Sequence, residues 1–315
     1  MPAGLSGKGE RLMYYKNARI FASDFQFHMG SFQVEDGRFG AVFTGNVPED
    51  AVDLQGATVI PGLVDVQLRS GADSLQETAA ALGESGVTSF VPVVQADSLA
   101  QVALEAEMAG SRLMGLRLEG FRGESIDELR QLCECAPAPV VMAQLPSAAG
   151  FIGKASGLCT VSLGAQETAY EQGRDGFAAG ATFLENLYCH LPLVSENKPG
   201  MIAAAVENPN VKAELVCARL VCHPALVRLA FAMFGPERMV LSSGNAEENL
   251  YQGVINAIRY GVPEADALRA ATYNAACAVG AGKEVGMIAP GRRADFIVCR
   301  SDFSGKRVFI AGEEI

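Results

Sequence analysis

VIPGLVDVQLRSGADSLQETAAALGESGVTSFVPV, residues 59–93, reads as an apolar run, an amphipathic stretch and a second apolar run. In the middle, Ser74 and Glu77 have capping-box spacing, Leu75, Ala79 and Leu82 fall on one helical face, and Gly86 marks the stop. The unit is therefore strand, crossover helix, strand. Six more apolar runs follow at helical spacings: LMGLRLEG (113–120), PVVMAQL (139–145), CTVSLG (159–164), ATFLENL (181–187), AELVCARL (213–220) and RMVLSS (238–243). Eight repeats of strand and helix over some 200 residues predict an α/β fold of the (β/α)₈ TIM-barrel type. An open doubly wound sheet would call for a glycine-rich dinucleotide turn after the first strand, and none follows here.

The two ends of the chain differ from this middle. SFQVEDGRFGAVF (31–43) alternates apolar residues on either side of Asp36-Gly37, the pattern of a hairpin with a tight turn. GRRADFIVCR and RVFIAGEEI at the other end are short strands split by the polar SDFSGK. Both termini are expected to build one small β-sandwich domain, residues 1–58 and 284–315, around a barrel of residues 59–283. A last helix is expected to run from Pro263 to Gly280.

Composition narrows the function classes. In 315 residues, 36 acidic against 25 basic side chains leave a net charge of -11, which opposes attraction to nucleic acid and to anionic membranes. No apolar run reaches the length of a membrane span, and the first residues lack a signal-peptide core, so a cytoplasmic location is expected. Eight scattered cysteines do not make a disulfide framework. Cys133 and Cys135 read as a helix end, and Cys217, Cys222 and His223 with Cys189 and His190 read as packed side chains, since Cys217 and Cys222 would face opposite sides of one strand. Three histidines are a small supply for imidazole-based metal or proton chemistry.

Barrel chemistry sits at the carboxyl ends of the strands, where period two groups the neighbours. Asp65, Gln67 and Arg69 share one face of the first strand, Arg117 and Glu119 of the third, Phe183 and Glu185 of the sixth, and Cys217, Arg219 and Val221 of the seventh. A mouth of arginines and carboxylates is expected.

At this point the chain resembles a family. NARIFASDF, VEDGRFGAV, VIPGLVDVQLRSGAD, GVTSFVPV, LRLEGF, VSLGAQETAY, GATFLENLY, NKPGMIAAA and GMIAPGRRADFIV occur in the order of the N-acetylglucosamine-6-phosphate deacetylases of the amidohydrolase superfamily. The resemblance covers nearly the whole chain and implies a metal-bearing barrel with a β-sandwich, a sugar-phosphate ligand and a homodimer. Position by position it implies less chemistry. Glu119 matches the family's metal-binding glutamate, but Arg117 and Phe121 stand where the family has histidine and proline. Ala165 and Phe183 replace the two metal-binding histidines, while Asn186, a substrate contact in the family, is retained. Val221 takes the place of the substrate-binding histidine, with His223 two residues on. Ser243 replaces the catalytic aspartate, and Asn197, beside Lys198, replaces the arginine that grips the phosphate.

The family reaction uses a divalent cation to activate water and an aspartate to carry the proton. Glu119 without two imidazoles does not complete a zinc site, and Ser243 without a base does not replace an aspartate. The chain is thus expected to need no cofactor and to be a catalytically inactive homologue with a binding, regulatory or structural role. The candidate ligand-binding residues are Asn186, His223, Arg69, Arg117 and Arg219. The alternative is an active amidohydrolase with a displaced site and one divalent metal such as zinc. Glu119 is expected to pair with Arg69, Arg117 or Arg219, a guanidinium taking the volume and charge of the lost cation.

Overall fold

A computed structural model describes residues 12–43, 45, 47–69, 75–101, 110–123, 125–146, 148–164, 169–188, 196–217, 222–244 and 249–315. Two sheets organise it. The first contains β1 (Leu12–Phe21), β2 (Phe27–Glu35), β3 (Arg38–Val42), β4 (Val52–Asp53) and β5 (Thr58–Pro61) from the start of the chain. The barrel sheet follows, with β6 (Leu63–Leu68), β7 (Val87–Gln95), β8 (Arg112–Leu113), β9 (Leu116–Glu119), β10 (Val140–Gln144), β11 (Thr160–Leu163), β12 (Phe183–Leu184), β13 (Lys212–Val216) and β14 (Met239–Ser242). β15 (Phe296–Cys299), β16 (Arg307–Ile310) and β17 (Glu313–Glu314) then return to the first sheet.

The barrel strands pair in parallel in the order β6, β7, β9, β10, β11, β12, β13, β14, with β8 a short addition beside β7. β14 lies against β6, and the Ser243 N–H reaches Asp65 Oδ1 at 3.3 Å, so a side chain bridges the nearly closed seam. The eight apolar runs of the sequence become these eight strands, and the expected crossover helix is Leu75–Ser85. Its predicted cap, Ser74, lies outside the described residues. Val64, Val66, Val91, Met142, Phe183 and Val240 pack with Ala275 and Ala276 in one cluster. The larger apolar core lies between strands and helices.

The terminal sheet runs β17, β16, β15, β5, β1, β2, β3, joining the two ends of the chain as expected. Asp36 and Gly37 both have positive φ, 48° and 76°, the geometry of a type I′ hairpin turn between β2 and β3. The sheet curls back on itself: the Phe39 N–H donates to Arg292 O at 2.8 Å and the Ala294 N–H to Gly37 O at 2.8 Å. Inside, Tyr15 stacks on Phe32 at 4.8 Å and Phe296 on Phe309 at 4.4 Å, the aromatic payload that a small sheet needs to hold together. Gly62 makes the crossing into the barrel, where a Cβ would run into the buried Thr88 side chain.

One helix departs from the sequence pattern. The continuous helix expected from Pro263 to Gly280 is two helices, Glu264–Ala271 and Tyr273–Ala278, broken at Thr272. The Thr272 hydroxyl donates to Leu268 O at 2.7 Å, and its own carbonyl is approached by Gly286, where a Cβ would stand 2.8 Å away. Tertiary packing against the returning chain overrides a good local helical pattern.

Candidate functional site

Arg117, in the middle of β9, is fully buried. A charge there survives only with partners on every side. Its Nη1 and Nη2 donate to Glu214 Oε1 and Oε2, both at 3.1 Å, a fork-to-fork pair with β13. Nη2 also lies 3.1 Å from Glu185 Oε1 just after β12, and Nη1 donates to Val66 O at 3.2 Å on β6. The Phe183 ring sits 5.8 Å from the guanidinium carbon. One arginine thus ties β9 to β6, β13 and the end of β12 across the barrel interior.

Glu119, two residues on, is the outer end of the same network. Arg69 makes a short ion pair to its Oε1 from the half-exposed mouth, and Arg117 Nε stands 3.9 Å from the same atom. Glu185 accepts a further bond from the Ser162 hydroxyl on β11. Glu214 accepts the Asn186 N–H at 3.4 Å, with Asn186 in the left-handed region at φ 48°, which asparagine tolerates better than most residues.

Asp65 on β6 forms the other end of the cluster. It is fully buried, and its Oδ1 accepts the N–H groups of Gln67 and Ser243. Burial pushes its carboxyl up to about 6, against the hydrogen bonds from Ser243 and Gln67, and Glu214 adds to the rise. Burial also raises Glu185, with Arg117 opposing and Glu214 adding to the rise. Burial alone would lower Arg117, but Glu185 and Glu214 outweigh it and hold the guanidinium above its ordinary value. The two directions for the Arg117–Glu185 pair have one cause. A single guanidinium is shared among several carboxylates, so it is over-compensated while Glu185 is not. Arg117 stays charged, and any proton the cluster takes up goes to a carboxylate.

Several of the expected residues therefore meet in one place: Arg69, Arg117, Glu119 and Phe183, with Glu185. Ser243 is buried beside Asp65. His223 is the N-cap of helix Pro224–Phe234, its Nδ1 accepting the Ala225 N–H at 3.2 Å. Asn186 enters through its backbone. Ala165, Cys189, His190, Arg219 and Val221 lie outside the described residues. Cys133 and Cys135 close helix Ile126–Cys135, as their position predicts.

The seventh strand departs from the sequence pattern. The sequence pattern puts Cys217, Arg219 and Val221 on its inward face, but β13 ends at Val216, and its charged contact to the interior is Glu214. Ala213, Leu215 and Cys217 pack in the outer core instead. The alternation of faces is as expected, with the inward and outward sets exchanged by one residue. The signal was present in KAELV, where a carboxylate inside an apolar strand demands a buried cation.

The metal implied by the family does not fit this donor set. Arginine does not ligate divalent cations, Phe183 offers no donor, and Glu119 is already engaged by Arg69. Among the described residues no group of three or more His, Cys, Asp and Glu side chains is arranged to hold a metal ion.

The Amidohydrolase family model matches residues 223–315. The match covers the last part of the chain, and the barrel with its terminal sheet shares the fold of solved amino-sugar-phosphate deacetylases. In sequence the chain is similar to the N-acetylglucosamine-6-phosphate deacetylase of Vibrio furnissii, with 24% identity over 88% of both chains. It is similar also to the N-acetylgalactosamine-6-phosphate deacetylase of Escherichia coli O157:H7, 22% identical over 89% of this chain and 93% of that one. The solved N-acetyl-D-glucosamine-6-phosphate deacetylase of Mycobacterium smegmatis shares the fold at a TM-score of 0.81 and 23% identity, covering 96% of this chain and 99% of that structure.

Proposed function

We propose that this chain is a non-hydrolysing homologue of the amino-sugar-phosphate deacetylases, a cytoplasmic protein that binds a sugar phosphate at its barrel mouth and pairs with a second copy of itself. The observation that carries the reading is the buried Arg117 guanidinium, clamped by Glu214 and Glu185 beside Phe183. A fixed cation of this kind supplies positive charge to the barrel interior, but it offers no open coordination position and lowers no water pKa. Two facts favour ligand binding over a purely structural role. The similarity spans about nine-tenths of the chain, and a cleft remains at the ends of β9, β10 and β11.

The test is an acetate-release assay on N-acetylglucosamine 6-phosphate, with and without added zinc, beside a thermal-shift screen of sugar phosphates. Stabilisation without acetate release is the expected result. Turnover that disappears in Glu119→Gln would overturn the reading.

A further inference from the structure

A groove of about 630 Å³ opens on the terminal sheet, between the turn that leads into β5 and the connection from β15 to β16. None of its lining residues belongs to the barrel sheet, so it is separate from the Arg117 network. Its volume falls within the roughly 300–1,000 Å³ that small-molecule sites occupy.

Arg300, just after β15, lines this groove as an exposed side chain that is nonetheless held in place. Its guanidinium lies against Gly305, where a Cβ would stand 3.3 Å from Cζ, and its Nη1 donates to Ser304 Oγ at 3.1 Å. The Ser304 hydroxyl in turn donates to Asp302 Oδ1 at 2.6 Å, which anchors it from behind. The opposite edge of the guanidinium, Nε and Nη2, has no hydrogen-bond or ion-pair partner among the described residues. Two parallel N–H groups on one edge match the two oxygens of a carboxylate or phosphate. Arg307 lines the same groove and has that edge filled: its Nε and Nη2 donate to Glu314 Oε1 and Oε2 at 2.6 and 2.5 Å. Arg300 presents the same fork without its anion.

The rest of the wall describes the body of a ligand. Gln55 and Gly56 occupy a turn with φ of 53° and 81°, closed by the Ala57 N–H on Leu54 O at 2.9 Å. The Gln55 amide and the Ser301 hydroxyl both line the groove and have no side-chain partner among the described residues. Asp53 does not compete for Arg300, since its oxygens accept the Gln55 N–H at 2.8 Å and the Asn17 amide at 3.0 Å. A bare anion would fill a small part of this volume, so the groove suits a molecule with hydroxyls of its own. One free fork, set among the carboxylates of Asp53, Asp302 and Glu314 in a chain of net charge -11, favours a single negative charge over a phosphate dianion.

We propose that this groove binds a small hydroxylated monocarboxylate, its carboxylate forked on Nε and Nη2 of Arg300 and its hydroxyls on Gln55 and Ser301. The site does not depend on the sugar-phosphate reading of the barrel mouth.

The experiment is calorimetric titration of the full chain near neutral pH with glucuronate, glucose and glucose 6-phosphate, beside hydrogen exchange at residues 53–57 and 300–307. The three probes share a ring and differ at carbon 6, which carries a carboxylate, a hydroxyl or a phosphate. Glucuronate binds about tenfold more tightly than glucose, protects both segments, and loses part of its advantage at high salt because the fork is exposed. Arg300→Lys keeps the charge but not the fork and reduces the preference to about twofold or less. Ser304→Ala leaves Arg300 in place but frees it, weakening glucuronate by about two- to tenfold without changing glucose. Equal affinity for glucuronate and glucose, binding that protects neither segment, or a preference unchanged in Arg300→Lys overturns the proposal. Tighter binding of glucose 6-phosphate with protection of these two segments overturns it as well, in favour of a phosphate site.

Discussion

Arg117→Met is the sharpest perturbation of this fold. Methionine fills most of the volume, so little cavity is created and the effect is chiefly electrostatic. What is lost is the two-pronged pair to Glu214, the contact to Glu185 and the bond to Val66 O. What remains is worse, because Glu185 and Glu214 are buried carboxylates left without their cation. Breaking one side of a buried ion pair costs about 3–5 kcal/mol, a large part of the roughly 5–15 kcal/mol that holds a protein folded. In a chain of this length the midpoint of thermal unfolding should fall by roughly 5–8 °C. The penalty must also depend on pH. Without Arg117 the folded-state carboxylates move to higher pKa, so the folded variant binds protons that its unfolded chain does not, and its stability recovers on acidification. Urea denaturation of wild type and variant at neutral pH and at about pH 5 measures both effects. A loss below about 1 kcal/mol, or a loss that is the same at both pH values, would refute the view that Arg117 neutralises this cluster.

Asp65 offers the clearest pH signature. Its carboxyl rises from 3.8 to about 6 on folding, so its contribution to stability is fully present below pH 3.8 and is lost as pH rises through about 6, a change of about 3 kcal/mol. Asp65→Asn lacks that dependence and should gain up to about 3 kcal/mol on wild type across this window, read from denaturation at each pH; a gap independent of pH would argue against a buried ionisable group. Gly62→Ala places a Cβ against the stiff, buried Thr88 side chain at the sheet-to-barrel crossing and should cost about 1–3 kcal/mol, a loss that Thr88→Ser in the same chain partly restores in thermal unfolding. Arg238 donates to the carbonyls of Met233, Phe234, Ala205, Val206 and Asn208, closing the ends of helices Gly200–Glu207 and Pro224–Phe234 together. Arg238→Met should cost about 2–3 kcal/mol and raise hydrogen exchange at both helix ends; faster exchange at only one end would mean that the two are not tied through this side chain.

The sequence by itself determined the architecture. Eight apolar runs separated by helical stretches leave no other economical way to bury so many half-hidden strands than a parallel barrel, and Asp36-Gly37 specified its hairpin because the turn needs positive φ at both positions. It also delivered Arg69, Arg117, Glu119 and Glu185 to one mouth, since strand ends and period two are local properties. Only the tertiary structure decided which carboxylate Arg117 takes. The pairing with Glu214 spans 97 positions and depends on where β13 begins and ends, and a one-residue slip along an apolar strand leaves its hydrophobic pattern almost unchanged while exchanging its two faces. The same limit explains Thr272 and Gly164. A break in a helix and a glycine at a strand end are imposed by residues far away in sequence: Gly286 approaches the carbonyl of Thr272, and Glu185 and Gln144 crowd the place where a side chain on residue 164 would go.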